Sequence, residues 1–196
     1  MCGIVGVFNT PFASEKIYIG LFALQHRGQD ACGIATYEGG RFHLYKALGT
    51  VPQVFTEKIL EQRLLGNIGI GHVRYPTIGV GTPEDAQPIY TNSPYGIAGA
   101  HNGNVVNYFE LREKLTEAYR RHINTNCDVE IILNLLASEL KEDVFSAVKK
   151  VMQLVRGSYS FISYIAGKGM LVFRDPFAIK PLVLGKRGKS FAFASE

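Results

Sequence analysis

The feature that most constrains this 196-residue chain is the sorting of its local patterns into blocks. Strand-like and helix-like segments do not alternate one for one, as a parallel doubly wound sheet requires, so their order predicts an α+β fold. Residues 3 to 8, GIVGVF, are short, apolar and glycine-punctuated, and read as a buried strand. Residues 14 to 28, SEKIYIGLFALQHRG, predict one amphipathic helix with Ser14 as N-cap, Ile17, Leu21 and Leu24 on the apolar side and Gly28 as the stop. ACGIATY and RFHLYKA flank Glu38-Gly39-Gly40, a hairpin signal. NIGIGHVRY is a further strand, and Pro76 to Pro88 is a long loop rich in Gly and Pro.

Strands resume at PIYTN and YGIAGAH, separated by Ser93-Pro94. Asn107 followed by Glu110 makes a capping-box pattern ahead of Leu111, Leu115 and Ala118 at helical spacing. Asp128 heads a second helix carrying Ile131, Ile132, Leu135 and Leu136, and a third covers residues 142 to 155, stopping near Gly157. The tail alternates strands with turns: SYSFISYIA, MLVFRD, PLVLG and SFAFAS. It ends at Glu196 in mid-strand pattern, which predicts a piece of a longer chain. The length itself suits one domain, or at most two small ones.

A net charge of +4 without a long run of Lys or Arg gives no nucleic-acid footprint. Apolar runs fall short of the roughly 18 residues that a membrane span needs, and no secretory leader pattern opens the chain. The expectation is a soluble cytoplasmic protein. Cys2, Cys32 and Cys127 form no CxxC and cannot all pair, against a disulfide framework or a metal site.

Cys2 directly follows the initiator methionine, and small second residues permit its removal. The mature chain would then carry a thiol and a free amine on one residue. An α-amino group has a pKa of about 7.7 to 8.0, so near neutrality it is partly a free base. A cysteine thiol near about 8.5 is the most nucleophilic ordinary side chain, and a neighbouring base raises its reactive fraction. Such a residue supplies nucleophile and base together, provided Met1 leaves, because an amide nitrogen is no base. Read alone, Cys2 is first of all a small buried residue at a strand start.

Four other stretches accompany CGIVG: LQHRGQD at residues 24 to 30, GHVRYPT at 71 to 77, AHNGN at 100 to 104 and TNCDVE at 125 to 130. Together they resemble the class II glutamine amidotransferase domain, an N-terminal-nucleophile hydrolase, from Cys2 to the last residue. Within that group LQHRGQD is most similar to the amidophosphoribosyltransferase family of purine biosynthesis. The resemblance implies a four-layer α-β-β-α sandwich of two mainly antiparallel sheets over residues 1 to 196. It implies L-glutamine as substrate and Cys2 as nucleophile, with Arg27 and Gly28 holding the terminal residue, the glycine through its carbonyl.

It further implies Asn102 and Gly103 as the oxyanion hole, Arg74 for the substrate carboxylate, Asp128 for its ammonium and Thr77 as an added hydroxyl contact. Each has a chemical rationale. An oxyanion needs preorganised donors, and a guanidinium grips a carboxylate through two bonds. Taken singly, each also has an ordinary alternative: His-Asn-Gly as a turn, Arg74 in a surface ion pair, Asp128 as a plain helix cap, Arg27-Gly28 as a helix ending. His26, His72 and His101 are read as structural, and Cys32 and Cys127 as packing residues.

This sequence departs from the family pattern in Asp128-Val129-Glu130, where a serine commonly stands between the acids, and in Ala178 and Lys180 of RDPFAIKPL, where glycine and arginine are usual. Ammonia is protonated and lost in water, so the resemblance implies a partner phosphoribosyltransferase domain, with Mg2+, in a homo-oligomeric full-length enzyme making phosphoribosylamine from phosphoribosyl pyrophosphate. No apolar strand with paired acids for ribose and metal is found here, so only the ammonia-releasing half is expected, without a cofactor of its own. The loop after Arg74 is long enough for a lid. Two other readings remain: a non-catalytic glutamine-binding or scaffold module, and a related N-terminal cysteine amidohydrolase acting on another amide.

Overall fold

A computed structural model describes residues 1–75, 81–141 and 143–196. In chain order its elements are β1 (Gly3–Phe8), α1 (Ala13–Ala23), β2 (Ala31–Glu38), β3 (Arg41–Leu48), α2 (Val51–Val54), α3 (Glu57–Gln62), β4 (Ile68–Arg74), β5 (Ile89–Thr91) and β6 (Ile97–Val105). Then follow α4 (Tyr108–Glu117), α5 (Val129–Glu139), α6 (Val144–Leu154), β7 (Gly157–Ile165), β8 (Gly169–Arg174), β9 (Val183–Arg187) and β10 (Ser190–Ala194). The strands make two antiparallel sheets, ordered β3-β2-β4-β1-β10-β9 and β5-β6-β7-β8.

Alternation along β1 explains the layering. Val5 and Val7 point to a core shared with Ile17 and Leu21 of α1, while Ile4 points the other way, to Ala98, Ala100 and Ile162 of the second sheet. A strand covered on both faces reads as a continuous apolar run, as GIVGVF does. Fully buried side chains such as Ile17 and Leu21 each stabilise the fold by about 1.5–3 kcal/mol. Beyond the second sheet lie α4, α5 and α6, and nine of the eleven α5 residues are buried. The result is the expected α+β fold with helix, sheet, sheet and helix layers.

Local signals fared unevenly. Glu38 pairs with Arg41 across the Gly39–Gly40 turn, as the hairpin signal predicted. Ser14 is not an N-cap: it lies inside α1, Phe12 occupies the cap, and the Ser14 hydroxyl donates to the Leu60 carbonyl at 3.0 Å. The helix also ends earlier than predicted, at Ala23, and continues as a tighter 3-10 turn over Gln25–Arg27. The Asn107–Glu110 capping box does not form. Asn107 donates to the Leu154 carbonyl at 3.0 Å and accepts from Arg156 N–H at 2.9 Å, and Glu110 pairs with Arg156 at 2.6 Å. Both side chains are drawn to the α6–β7 junction, where the Leu154 carbonyl and the Arg156 donors outcompete the local helix terminus. The short α2 and α3 carried too few residues for a periodic signal.

Candidate active site

Strand register sets the site. Gly3 of β1 pairs with Val73 of β4, so Cys2, one residue before β1, comes to lie beside Arg74 at the end of β4. The Cys2 carbonyl accepts the Arg27 Nε–H at 2.9 Å. With the Asn102 amide oriented to satisfy both its neighbours, its nitrogen donates to the same carbonyl at 3.2 Å and its oxygen accepts from Arg27 Nη2 at 3.2 Å. Arg27 and Asn102 are buried, and they belong to the α1–β2 connection and to the second sheet, so two separate segments converge on the backbone of Cys2. Arg27 also pairs with the Glu196 carboxylate, which lies 3.2 Å from His26 Nε2. Bonds from Arg27 and then His26 hold the Glu196 carboxyl below its usual range.

The Cys2 sulfur donates to the Tyr75 carbonyl at 3.7 Å. Burial pushes its thiol pKa up; the Tyr75 main chain, the terminal ammonium and Arg74 act in the opposite sense, and Asp128 adds to the rise. Cys32 and Cys127 are buried outright, and burial pushes both up to about 12. They are inert thiols near neutral pH.

Two glycines are fixed by close approach. A Cβ on Gly28 would stand 2.5 Å from the carbonyl carbon of Arg74, and one on Gly103 2.4 Å from the Ser158 oxygen. Gly103 and Asn102 lie within β6, paired with Tyr159 and Ser160 of β7, so the reading of His-Asn-Gly as a turn is corrected. The Gly28 carbonyl accepts from the Gln25 side chain at 2.5 Å.

Asp128 occupies the N-cap position of α5 yet makes no capping bond. Its Oδ2 instead accepts the Val105 N–H at 2.9 Å, and Oδ1 lies 3.2 Å from His101 Nε2. Burial works to raise this carboxyl, but His101 and the Val105 N–H outweigh it and hold the carboxyl below its usual range. Arg74 is buried, with Nη2 3.9 Å from Asp85 Oδ2; it is not a surface ion pair. Thr77 and the first five residues of the expected lid, 76–80, lie outside the described residues.

Residues 72–196 match the family model described as a glutamine amidotransferase domain. The chain belongs to the glutamine amidotransferase family. The amidophosphoribosyltransferase of Pasteurella multocida is 52% identical over 210 residues, covering 100% of this chain and 42% of its own length. That of Escherichia coli is 52% identical over 197 residues, covering 95% of this chain and 39% of its own. The solved glutamine phosphoribosylpyrophosphate amidotransferase from B. subtilis, complexed with ADP and GMP, superposes with a TM-score of 0.88 at 31% identity, over 100% of this chain and 42% of that one. The amidotransferase chain thus spans about two fifths of the length of the relatives it matches.

Several residues of this glutamine amidotransferase domain that organise the site gave no local sequence signal. Gln87 accepts the His101 N–H at 2.7 Å, lies 3.2 Å from His101 Nδ1 and donates to the Cys127 sulfur at 3.4 Å, so it sets the ring that faces Asp128. Buried Glu130 accepts from Asn124 N–H, Thr125 N–H and the Thr125 hydroxyl at 2.9, 2.7 and 2.7 Å, shaping the turn that delivers Asp128. The second acid of Asp128-Val129-Glu130 therefore has a distinct task, which the loss of the intervening hydroxyl leaves intact. His72 is fully buried, has no hydrogen-bond partner among the described residues and is held neutral, its pKa lowered by burial to about 3. Among the described residues no group of three or more His, Cys, Asp or Glu side chains is placed to hold a metal ion, and no helix is long and apolar enough to cross a membrane.

Proposed function

We propose that this chain hydrolyses L-glutamine to glutamate and ammonia through a thioester on Cys2, after Met1 has been removed. One observation carries the reading: Arg27 and Asn102 converge on Cys2, at the same sheet end where Arg74 and Asp128 present a buried cation and a carboxylate. In this reading Arg74 takes the α-carboxylate of glutamine, Asp128 its α-ammonium, and Thr77 adds a hydroxyl contact. The Cys2 amine takes the thiol proton, and the sulfur attacks the side-chain amide carbon. Asn102 and Gly103 stabilise the oxyanion, while Arg27 and the Gly28 carbonyl fix the terminal residue. The tetrahedral intermediate expels ammonia, which receives the proton held by the amine. Water, deprotonated by the same amine, then attacks the γ-glutamyl thioester, and the sulfur leaves as glutamate is released.

We further infer that the ammonia is destined for phosphoribosyl pyrophosphate, giving phosphoribosylamine, in a phosphoribosyltransferase domain that binds Mg2+ and belongs to a cytoplasmic homo-oligomer. Support comes from the identity to amidophosphoribosyltransferases across 95–100% of the chain; three free thiols suit a reducing compartment. The test is a glutaminase assay on the processed chain. Glutamate should form, and Cys2→Ala should abolish it while glutamine still binds. Binding without cleavage in the processed parent protein would leave a binding module instead.

A further inference from the structure

Asp85 carries a buried carboxylate that no step above uses. It closes the 3-10 turn Pro83–Asp85 and faces both Arg74 and the segment that leads into Asp128. Its Oδ1 accepts the Asn126 N–H at 3.1 Å, two residues before Asp128, and its Oδ2 lies 3.9 Å from Arg74 Nη2. The side chains of Arg74 and Asp85 are only 10% and 9% exposed, so their mutual charge is poorly screened by solvent. At 3.9 Å the pair is not a closed bidentate fork. The other terminal nitrogen, Arg74 Nη1, has no hydrogen-bond partner among the described residues and lies against Gly81, where a Cβ would approach it to 2.3 Å. One terminal nitrogen of the guanidinium faces the Asp85 carboxylate across an ion-pair distance, and the other is without an acceptor among the described residues.

The turn is itself pinned from the first sheet. Lys46 of β3 donates its ammonium to the carbonyls of Glu84 at 2.9 Å and Ala86 at 2.5 Å, one on either side of Asp85. A lysine spent on two main-chain oxygens fixes the backbone that aims the Asp85 carboxylate.

We propose that Asp85 is a positioning residue for glutamine recognition: it holds the Arg74 guanidinium with one edge open to the substrate α-carboxylate and ties it to the segment that delivers Asp128. Lys46 acts one step further back, by fixing the turn. This rests on the reading of Arg74 as the carboxylate-binding residue. It also separates two tasks that a buried arginine combines, since an anion is needed to stabilise it before substrate arrives and must not occupy the edge that substrate uses.

The test is calorimetric titration of the Cys2→Ala chain with L-glutamine and with its α-amide, which lacks the carboxylate. Asp85→Ala should weaken glutamine about tenfold and the α-amide less than twofold. Asp85→Asn, which retains an acceptor oxygen but no charge, should weaken glutamine by about three- to fivefold, and Lys46→Met should shift glutamine in the same direction as Asp85→Ala. In an Arg74→Ala background Asp85→Ala should change glutamine affinity less than twofold. If Asp85→Ala fails to fold, Asp85→Asn must itself weaken glutamine at least threefold and spare the α-amide. Glutamine affinity within twofold of the parent, or an equal loss for both ligands, overturns the assignment. Glutamine binding that depends on Asp85 in a chain whose processed form makes no glutamate would sink the proposed activity and leave this role standing.

Discussion

Arg27 donates its Nε–H to the Cys2 carbonyl oxygen at 2.9 Å, a bond between residues 25 positions apart that fixes the first residues of the chain from a 3-10 turn. The same guanidinium serves the Asn102 amide oxygen and the Glu196 carboxylate. A planar fork with several fixed donors can do this; a lysine ammonium, a point charge on a flexible stem, cannot match all three directions.

Replacing Arg27 with Ala or Lys is therefore expected to release the N-terminal residue. Glutamate formation should fall at least about 100-fold, a loss of about 2.7 kcal/mol in transition-state stabilisation. Stability should also fall, because Ala leaves the Glu196 carboxylate and the Asn102 oxygen without this donor. Steady-state assay and thermal unfolding of both variants check this; near-normal turnover in Arg27→Lys would contradict it.

Gly103→Ala should destabilise through sterics. The added methyl would stand 2.4 Å from the Ser158 oxygen and 2.6 Å from the Tyr159 Cα, both on the paired strand β7, so the strands must part. Overpacking of this kind costs about 1–3 kcal/mol. For a chain of this length each kcal/mol moves Tm by about 2–4 °C. A melting curve tests it, and an unchanged Tm would refute the close approach.

Much of this was legible in the sequence, and the failures share a cause. Strands β1, β2, β3 and β4 announced themselves because a strand covered on one or both faces imposes its pattern on consecutive residues. Cys2, Arg27, Asn102, Arg74 and Asp128 could be singled out as candidates because they sit in distinctive short stretches. The contacts of Asp85, Gln87, Glu130 and Glu196 could not, since their partners lie between 5 and 170 residues away and no local pattern reports such pairings. The Ser14 and Asn107 caps failed for the same reason: a local rule proposes a bond, and the packed structure offers the side chain another.

His72 makes the acid limb of the stability profile predictable. Burial lowers its pKa from the usual value of about 6.5 to about 3. Between those values the unfolded chain binds a proton that the folded chain refuses, so stability is present above about pH 6.5 and is lost as pH falls toward 3. The slope contributed is about 1.4 kcal/mol per pH unit. Urea midpoints for the parent and for His72→Asn across this range should show a shallower acid limb in the variant, and parallel curves would rule the effect out.

Turnover by this mechanism depends on the amine and thiol of one residue acting together. Preparations containing different fractions of chain with Met1 removed, each fraction fixed by intact mass spectrometry, provide the most direct test when assayed for glutamate formed from L-glutamine. The rate per mole of protein should rise in proportion to the processed fraction and extrapolate to zero for chain that still carries Met1. Turnover by chain that retains Met1, at a rate comparable to the processed form, would contradict it.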